Sequence, residues 1–132
     1  MVSVLLAAIL SGPIPAVVVR VLDGDTVRVR ATTWPHTTVE IDVRVRGIDT
    51  PEKAPRAKCA AEADLAARAS AFTTAMLPVG AVVALREIDN DKYGGRVVGA
   101  IAKDGSDLAA ALIAAGLARR YDGGTKGSWC TP

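Results

Sequence analysis

The sequence predicts a mainly β domain with two helices, of the α+β class. Short runs of β-branched residues alternate with turns along most of the chain, and only two segments show helical spacing of apolar residues. The length of 132 residues suits one domain. Half of the residues are hydrophobic but only 4% are aromatic, so aliphatic side chains must fill the interior.

Five strands and two helices are predicted. The clearest strand is residues 39–45, where every second residue is apolar and Arg44 lies on the polar face. The other strands are predicted at residues 16–22, 27–30, 82–88 and 96–102, with a loop at residues 32–38 and a turn-rich segment at 48–58. The helices are predicted at residues 108–115 and at residues 61–76, where the apolar positions are Leu65, Ala69, Phe72 and Met76. With the longer helix after the third strand, this order fits a five-stranded OB-type barrel, a fold that often presents nucleic-acid surfaces.

The first ten residues are uncharged and almost entirely apolar. They are too few to span a bilayer, which takes about 20 residues, but they suit the apolar region of a secretory signal. No Lys or Arg precedes them, and the alternative is an apolar first strand. We expect a signal segment at residues 1–11, a single domain at residues 12–132, and a secreted or periplasmic location; without a signal the protein would be cytoplasmic.

The two cysteines agree with export. An even count in a small exported domain favours one disulfide, between Cys59 and Cys130. Two free buried thiols are the alternative if the protein is cytosolic. With His36 as the only histidine, and no third cysteine, the sequence offers neither a zinc site nor a Ser-His-Asp or Cys-His hydrolase.

The net charge of +2 is compatible with an anionic partner but does not identify one.

Three polar motifs interrupt the predicted strands: Asp23-Gly24-Asp25-Thr26, then Arg44 with Asp49-Thr50-Pro51-Glu52, then Asp91-Lys92-Tyr93-Gly94-Gly95-Arg96. Asp25 and Asp49 each end an apolar strand and could bind a hard cation such as calcium. Glu52 lies on a loop, where its carboxylate could take a proton from water. For each motif alone the simpler interpretation is a turn residue bonded to its own backbone, or a solvated acid.

Basic residues in the same motifs suit a phosphodiester. Arg44 and Arg96 each offer a planar fork of donors to phosphate oxygens, where charge builds in the transition state. Arg44 could instead pair with Glu40 or Asp42 on its own strand, and Arg46 competes with it for the role. Lys92 could add a phosphate contact and Tyr93 a stacking ring.

Together, the three motifs in this order resemble the staphylococcal nuclease (thermonuclease) family, with a likeness that extends from about residue 17 to residue 120. The resemblance implies a calcium-dependent phosphodiesterase on an OB-type barrel, which cleaves DNA and RNA to leave 3′-phosphorylated products. Matched by motif, Asp25 and Asp49 would be the carboxylate ligands of Ca²⁺, and Thr50 would contribute its backbone carbonyl.

The resemblance also assigns the remaining roles. Glu52 matches the proposed general base, and Arg44 and Arg96 match the pair that neutralises the phosphoryl group. The pair that would contact a terminal phosphate of a bound nucleotide is Lys92 and Tyr93. The sequence departs from the family pattern where Gly95 reads as a one-residue insertion before Arg96. The family's stacking tyrosines also have no clear counterpart, since Tyr121 is a poor substitute.

The sequence therefore predicts a calcium-dependent nuclease that acts as a monomer on DNA and RNA, prefers single strands, and needs no protein partner and no membrane. The rival prediction is a catalytically silent OB-fold module that only binds nucleic acid. A third is a calcium-stabilised secreted domain with no nucleic-acid role. The presence of both arginines and of the acid favours the enzyme.

Overall fold

Five long strands close into a barrel in the computed structural model, which describes residues 10–92 and 94–130. The elements, in chain order, are β1 (Ile14–Asp23), β2 (Thr26–Trp34), β3 (Thr37–Val45), β4 (Ile48–Asp49), α1 (Ala60–Met76), β5 (Val82–Asn90), β6 (Arg96–Lys103), β7 (Ser106–Asp107), α2 (Leu108–Ala114) and β8 (Arg119–Arg120). The sheet order is β3-β2-β1-β5-β6, and β3 pairs in parallel with β6 to close the barrel. The predicted five-stranded OB-type barrel with two helices is thereby confirmed.

The strand registers bring distant motifs to one end of the barrel. Thr26, at the start of β2, pairs with Arg44 near the end of β3. The parallel closure pairs Arg44 with Val98 and Asp42 with Arg96. The Asp25 turn and both arginines predicted for the site therefore share this end.

Aliphatic side chains fill the core, as the low aromatic content requires. Among the described residues, the largest fully buried side chains are all aliphatic apart from one threonine: Val18, Val27, Val29, Val43, Val45, Ile48, Thr73, Leu77, Ile101, Leu108 and Leu112. The apolar face predicted for residues 39–45 is buried only at its second half, because Val39 is 40% exposed. The first half of β3 pairs with the far end of β2, in a hairpin that extends beyond the core.

Helix α1 packs against the barrel through small residues rather than through the large ones that the spacing suggested. Its buried positions include Ala66, Ala69 and Thr73, whereas Leu65, Phe72 and Met76 are only partly buried around them. The Thr73 hydroxyl donates to the carbonyl of Gly24 at 2.7 Å, and a Cβ built on Gly24 would lie 2.7 Å from the Ala69 Cβ. Small residues are needed here because the helix backbone approaches the Asp25 turn closely.

Two other predictions need correction. The loop expected at residues 32–38 is a tight turn at Pro35 and His36, because β2 and β3 extend further than their apolar pattern; His36 is exposed there with a φ of 62°. The turn-rich segment at 48–58 contains β4, which pairs with β8. Two-residue strands have too little periodicity to be predicted from sequence.

The end of the chain is tied back to α1. Cys59 and Cys130 form a disulfide across 71 positions, and the Cys59 sulfur caps α1 by accepting from the backbone N–H of Glu62 at 3.4 Å.

At the N-terminal end of the described residues, Leu10 exchanges backbone hydrogen bonds with Ile88 of β5. Residues 1–9 of the expected signal segment lie outside the described residues. Neither helix in the described part of the chain has the length and apolar character needed to cross a bilayer.

Reducing this disulfide should lower the melting temperature substantially. Closing a loop of 71 positions is expected to stabilise the fold by about 4 kcal/mol, which corresponds to about 10–15 °C for a domain of this size. Thermal unfolding followed by circular dichroism, with and without dithiothreitol, measures the shift. The Cys59→Ser/Cys130→Ser double variant should melt at the reduced temperature under both conditions. An unchanged midpoint on reduction would contradict the tethering role.

Candidate functional site

One open cavity of about 410 Å³ lies at the end of the barrel where the three motifs meet. Its walls come from the β1–β2 turn, β3, the loop after β4, the β5–β6 loop and the C-terminal tail. The lining residues are Asp23, Asp25, Thr26, Arg44, Thr50, Pro51, Glu52, Lys53, Arg56, Asp91, Lys92, Arg96, Val98, Tyr121 and Lys126. Six of these are cationic and four are acidic, an excess of positive charge that suits an anionic ligand.

Arg44 is held beside Asp25 at the cavity wall. Its Nη2 lies 3.4 Å from Asp25 Oδ2 and donates to the carbonyl of Ile48 at 3.4 Å. The other carboxylate oxygen of Asp25 accepts from the hydroxyl of Thr26 at 3.1 Å. Both side chains are mostly buried, with 19% of Arg44 and 14% of Asp25 exposed, so the guanidinium is fixed before any ligand arrives.

The competing partners suggested for Arg44 are engaged elsewhere. Asp42 binds Arg28 at 2.8 Å, and Glu40 binds Arg30 at 3.0 Å, both across the β2–β3 pair. Arg46, the alternative to Arg44, donates to the backbone carbonyl of Glu87 at 2.7 Å and does not line the cavity.

Unlike Asp25, Asp49 is buried beneath the C-terminal tail. The residue is 5% exposed and does not itself line the cavity. Its Oδ2 accepts a hydrogen bond from the Trp129 indole Nε1 at 3.2 Å, and its Oδ1 lies 3.3 Å from Lys126 Nζ. Neither contact could be expected from the sequence, because no pattern links residues about 80 positions apart.

Glu52 projects into the cavity from a loop that a second glutamate holds in place. Its side chain is 41% exposed, which leaves the carboxylate accessible to water. Its backbone N–H donates to Glu62 Oε2 at 2.9 Å, and the N–H of Lys58 donates to Glu62 Oε1 at 2.9 Å. Glu62 is 5% exposed in α1, so one buried carboxylate anchors both ends of the loop. Glu62 could not be predicted for this role, because its position is that of an ordinary acid in the first turn of a helix.

These hydrogen bonds favour the charged form of Glu62. The backbone N–H of Lys58 and then that of Glu52 hold the pKa of Glu62 below the ordinary glutamate value, against the opposing effect of burial. Because the folded-state pKa is lower than the unfolded one, the contribution to stability is present above about pH 4.3. It is lost as the pH falls through the lower, folded-state value.

Glu62→Gln should therefore lower the stability of the folded protein at neutral pH. It should also make that stability less sensitive to a fall in pH. A glutamine has only one acceptor oxygen, so one buried N–H loses its partner at a cost of about 1–3 kcal/mol. Melting temperatures of the wild type and the variant, measured from pH 7 to pH 3, should converge as the pH falls. Glu40→Gln, in an exposed ion pair, is the matched control and should change little. Parallel pH curves for Glu62→Gln and the wild type would contradict the anchoring role.

Arg96 begins β6 and reaches the cavity next to the β5–β6 loop. Its Nε donates to Asp91 Oδ2, and 30% of the side chain is exposed. The extra Gly95 adopts a φ of 86°, a left-handed conformation that suits glycine and lets the turn return the chain to β6. Lys92 also lines the cavity, whereas Tyr93 lies outside the described residues.

Several residues of the cavity were not predicted. Lys53 and Arg56 belong to the basic loop after Glu52, to which no role was assigned; Lys53 Nζ lies 3.0 Å from Asp23 Oδ1. Tyr121, noted from the sequence as a poor substitute for the family's stacking tyrosines, lines the cavity and has Lys126 Nζ 5.3 Å from its ring centroid. An aromatic ring beside cations suits a nucleotide base next to phosphate.

The donor chemistry of the site fits a hard cation that takes few protein ligands. Asp25, Asp49 and the carbonyl of Thr50 offer oxygen atoms of the kind that calcium prefers. Within residues 10–92 and 94–130, no group of three or more His, Cys, Asp or Glu side chains is placed to hold a metal ion. A cation held by Asp25 and Asp49 would have to complete its shell with carbonyls, water and ligand oxygens.

A comparison with models of known protein families shows to which family this chain belongs. The family model described as staphylococcal nuclease homologue matches residues 42–128, more than half of the sequence. The chain belongs to the staphylococcal nuclease homologue family. The part matched to this family includes Glu52, Arg96 and Lys126, while Asp25 precedes it. A comparison with curated proteins gave no match. Membership of the staphylococcal nuclease homologue family makes this barrel a nuclease-like or nucleic-acid-binding module.

Proposed function

We propose that this protein is a calcium-dependent phosphodiesterase that hydrolyses DNA and RNA to 3′-phosphorylated products. One observation carries the proposal: Glu52, Arg44 and Arg96, which come from three separate parts of the sequence, line the same cavity. An accessible carboxylate beside two arginines is what in-line attack of water on a phosphodiester requires. Family membership supports the same reaction class.

In this mechanism Glu52 removes a proton from a water molecule as the water oxygen attacks phosphorus. The new P–O bond forms as the bond to the 5′ oxygen breaks, and that oxygen takes up a proton from solvent in the open cavity as it leaves. Arg44 and Arg96 donate to the non-bridging oxygens, where negative charge increases in the transition state. Because Arg44 is already fixed by Asp25, little reorganisation is needed at that step.

Calcium fits the remaining oxygen donors. Asp25, Asp49 and the Thr50 carbonyl would hold it, and when bound it would supply charge neutralisation at the phosphate and help to acidify water. Asp49 and Thr50 are both only 5% exposed, and of the two only Thr50 lines the cavity.

Single strands should be preferred, whether DNA or RNA. The cavity is open and mixed in charge, with Lys92 and Tyr121 on its walls and Tyr93 next to Lys92 in sequence. Lys92 would contact a terminal phosphate and a tyrosine would stack on a base, interactions that every base can make. No protein partner is needed for this activity, and we expect the monomer to be the active form.

Export is part of the proposal. The Cys59–Cys130 disulfide is present, and disulfides persist mainly in oxidising compartments. We therefore place the protein outside the cytoplasm, in the periplasm or in the medium.

A silent nucleic-acid-binding module is the second candidate, and one observation favours it. Lys126 Nζ lies 3.3 Å from Asp49 and 4.0 Å from Glu52, so a cation of the protein itself stands between two of the acids that the reaction uses. A module in which this contact is permanent would retain the basic cavity and bind single strands without cleaving them.

Product analysis distinguishes the two candidates. End-labelled single-stranded DNA and RNA oligonucleotides, incubated with the purified protein and calcium, should yield fragments that carry 3′-phosphate, identified by mass spectrometry. Duplex DNA of the same sequence should be cut more slowly. Fragments with 5′-phosphate would contradict the proposed direction of cleavage, and binding without fragments would establish the silent module.

A further inference from the structure

The C-terminal tail places an ammonium group at the acids of the site. Lys126 Nζ lies 3.3 Å from Asp49 Oδ1 and 4.0 Å from Glu52 Oε1. Asp49 is almost fully buried, and its second oxygen already accepts from the indole of Trp129. Lys126 therefore supplies positive charge to a buried carboxylate whose other side-chain donor, within residues 10–92 and 94–130, is the neutral indole of Trp129.

Three contacts hold this tail in place. The Cys59–Cys130 disulfide joins it to the start of α1. The guanidinium of Arg119 stacks over the Trp129 ring at 3.7 Å from the centroid, and Arg119 Nη1 donates to the carbonyl of Ser128 at 2.7 Å. Because β8 pairs Arg119 with Asp49, these contacts fix the tail relative to the same carboxylate that Lys126 meets.

The Lys126 side chain itself is less constrained than the backbone that carries it. It is 43% exposed and lines the open cavity, where the Tyr121 ring lies 5.3 Å from Nζ. The ammonium group can therefore leave Asp49 without unfolding the tail, and an aromatic face is close enough to receive it.

We infer that Lys126 is a tethered counter-ion of Asp49 and Glu52 that competes with the divalent cation, so the tail sets the affinity of the site for that cation. The inference rests on the cation site of the proposed function. Two cations close to one carboxylate oxygen repel each other, so binding of the divalent ion requires Lys126 to move away. The cost of that displacement reduces the affinity for the divalent ion.

Calcium binding by the full chain, measured by isothermal titration calorimetry, tests this competition. Lys126→Met removes the charge but keeps a similar length, and should lower the calcium dissociation constant on the order of tenfold. Lys126→Arg retains the charge and should bind as the wild type does. Lys53→Met is the matched control, because it removes a lysine that lines the same cavity but contacts Asp23 instead. It should change the dissociation constant less than threefold.

A second readout is independent of heat signals. The rise in melting temperature on adding calcium should be larger for Lys126→Met than for the wild type, because tighter binding stabilises the folded state more at the same free calcium concentration. Melting in chelator alone shows whether each variant is folded.

The outcomes separate this inference from the proposed function. An unchanged or weaker calcium affinity in Lys126→Met, with wild-type binding intact, would overturn the competition and leave the proposed nuclease standing. Equal tightening by Lys53→Met would also overturn it, since the effect would then be general electrostatics. Absence of calcium binding in the wild type and in Lys126→Met would remove the cation site from the proposed function and this inference with it.

Discussion

Replacing Glu52 by glutamine is expected to reduce the turnover of single-stranded DNA by about 10²–10⁴-fold while the fold persists. The amide has nearly the same shape as the carboxylate but cannot take a proton from water. The fold should tolerate the change because the backbone N–H of Glu52 keeps its hydrogen bond to Glu62, while the side chain loses only a half-exposed 4.0 Å ion pair with Lys126. The measurement is kcat on a fluorescent oligonucleotide, together with the melting temperature.

Two controls sharpen this experiment. Glu40→Gln makes the same chemical change in an exposed ion pair on the β2–β3 hairpin and should retain full activity. Glu62→Gln tests the loop that carries Glu52 and should lose both stability and activity. Near-normal turnover in Glu52→Gln would exclude this residue as the base.

Arg96→Ala is expected to lower kcat by about 10²–10³-fold, with a smaller effect on KM. The reason is that an arginine aimed at oxygens that gain charge stabilises the transition state more than the bound substrate. Arg96→Lys keeps a positive charge beside Asp91 but loses the planar fork, so it should recover only part of the activity.

Arg86→Ala is the matched control for this change. Arg86 lies on the neighbouring strand β5 and lines a separate groove with Pro13 and Val82, away from the cavity that contains Glu52. Its loss should leave kcat within about twofold. A greater loss of activity in Arg86→Ala than in Arg96→Ala would mean that the family's second arginine has been assigned to the wrong position.

The barrel could be predicted because its determinants are local. Alternation along β3 and the position of the longer helix after the third long strand gave the class and the order of elements. The packing face of α1 was predicted less well. Ala66 and Thr73 face the barrel because the helix must approach Gly24 closely, and helical spacing of large residues cannot reveal that requirement.

Some residues of the site could likewise be predicted from the sequence, and others could not. Residues within the three motifs line one cavity because the β2–β3 and β3–β6 registers bring those motifs together. Lys126 and Trp129 could not be predicted, since their contacts with Asp49 depend on how a tail of turns folds back across the barrel. The role of Glu62 could not be predicted, because its partners are backbone N–H groups and every non-proline residue has one.

Degradation of heat-denatured DNA by the purified wild-type protein, in calcium and in a calcium chelator, is the first measurement to make. A calcium-dependent nuclease should cleave the DNA rapidly in calcium, lose cleavage in the chelator, and recover it when calcium is restored. Binding to the denatured DNA without cleavage under every condition would contradict this activity. The basic cavity would then belong to a module that holds single strands without cutting them.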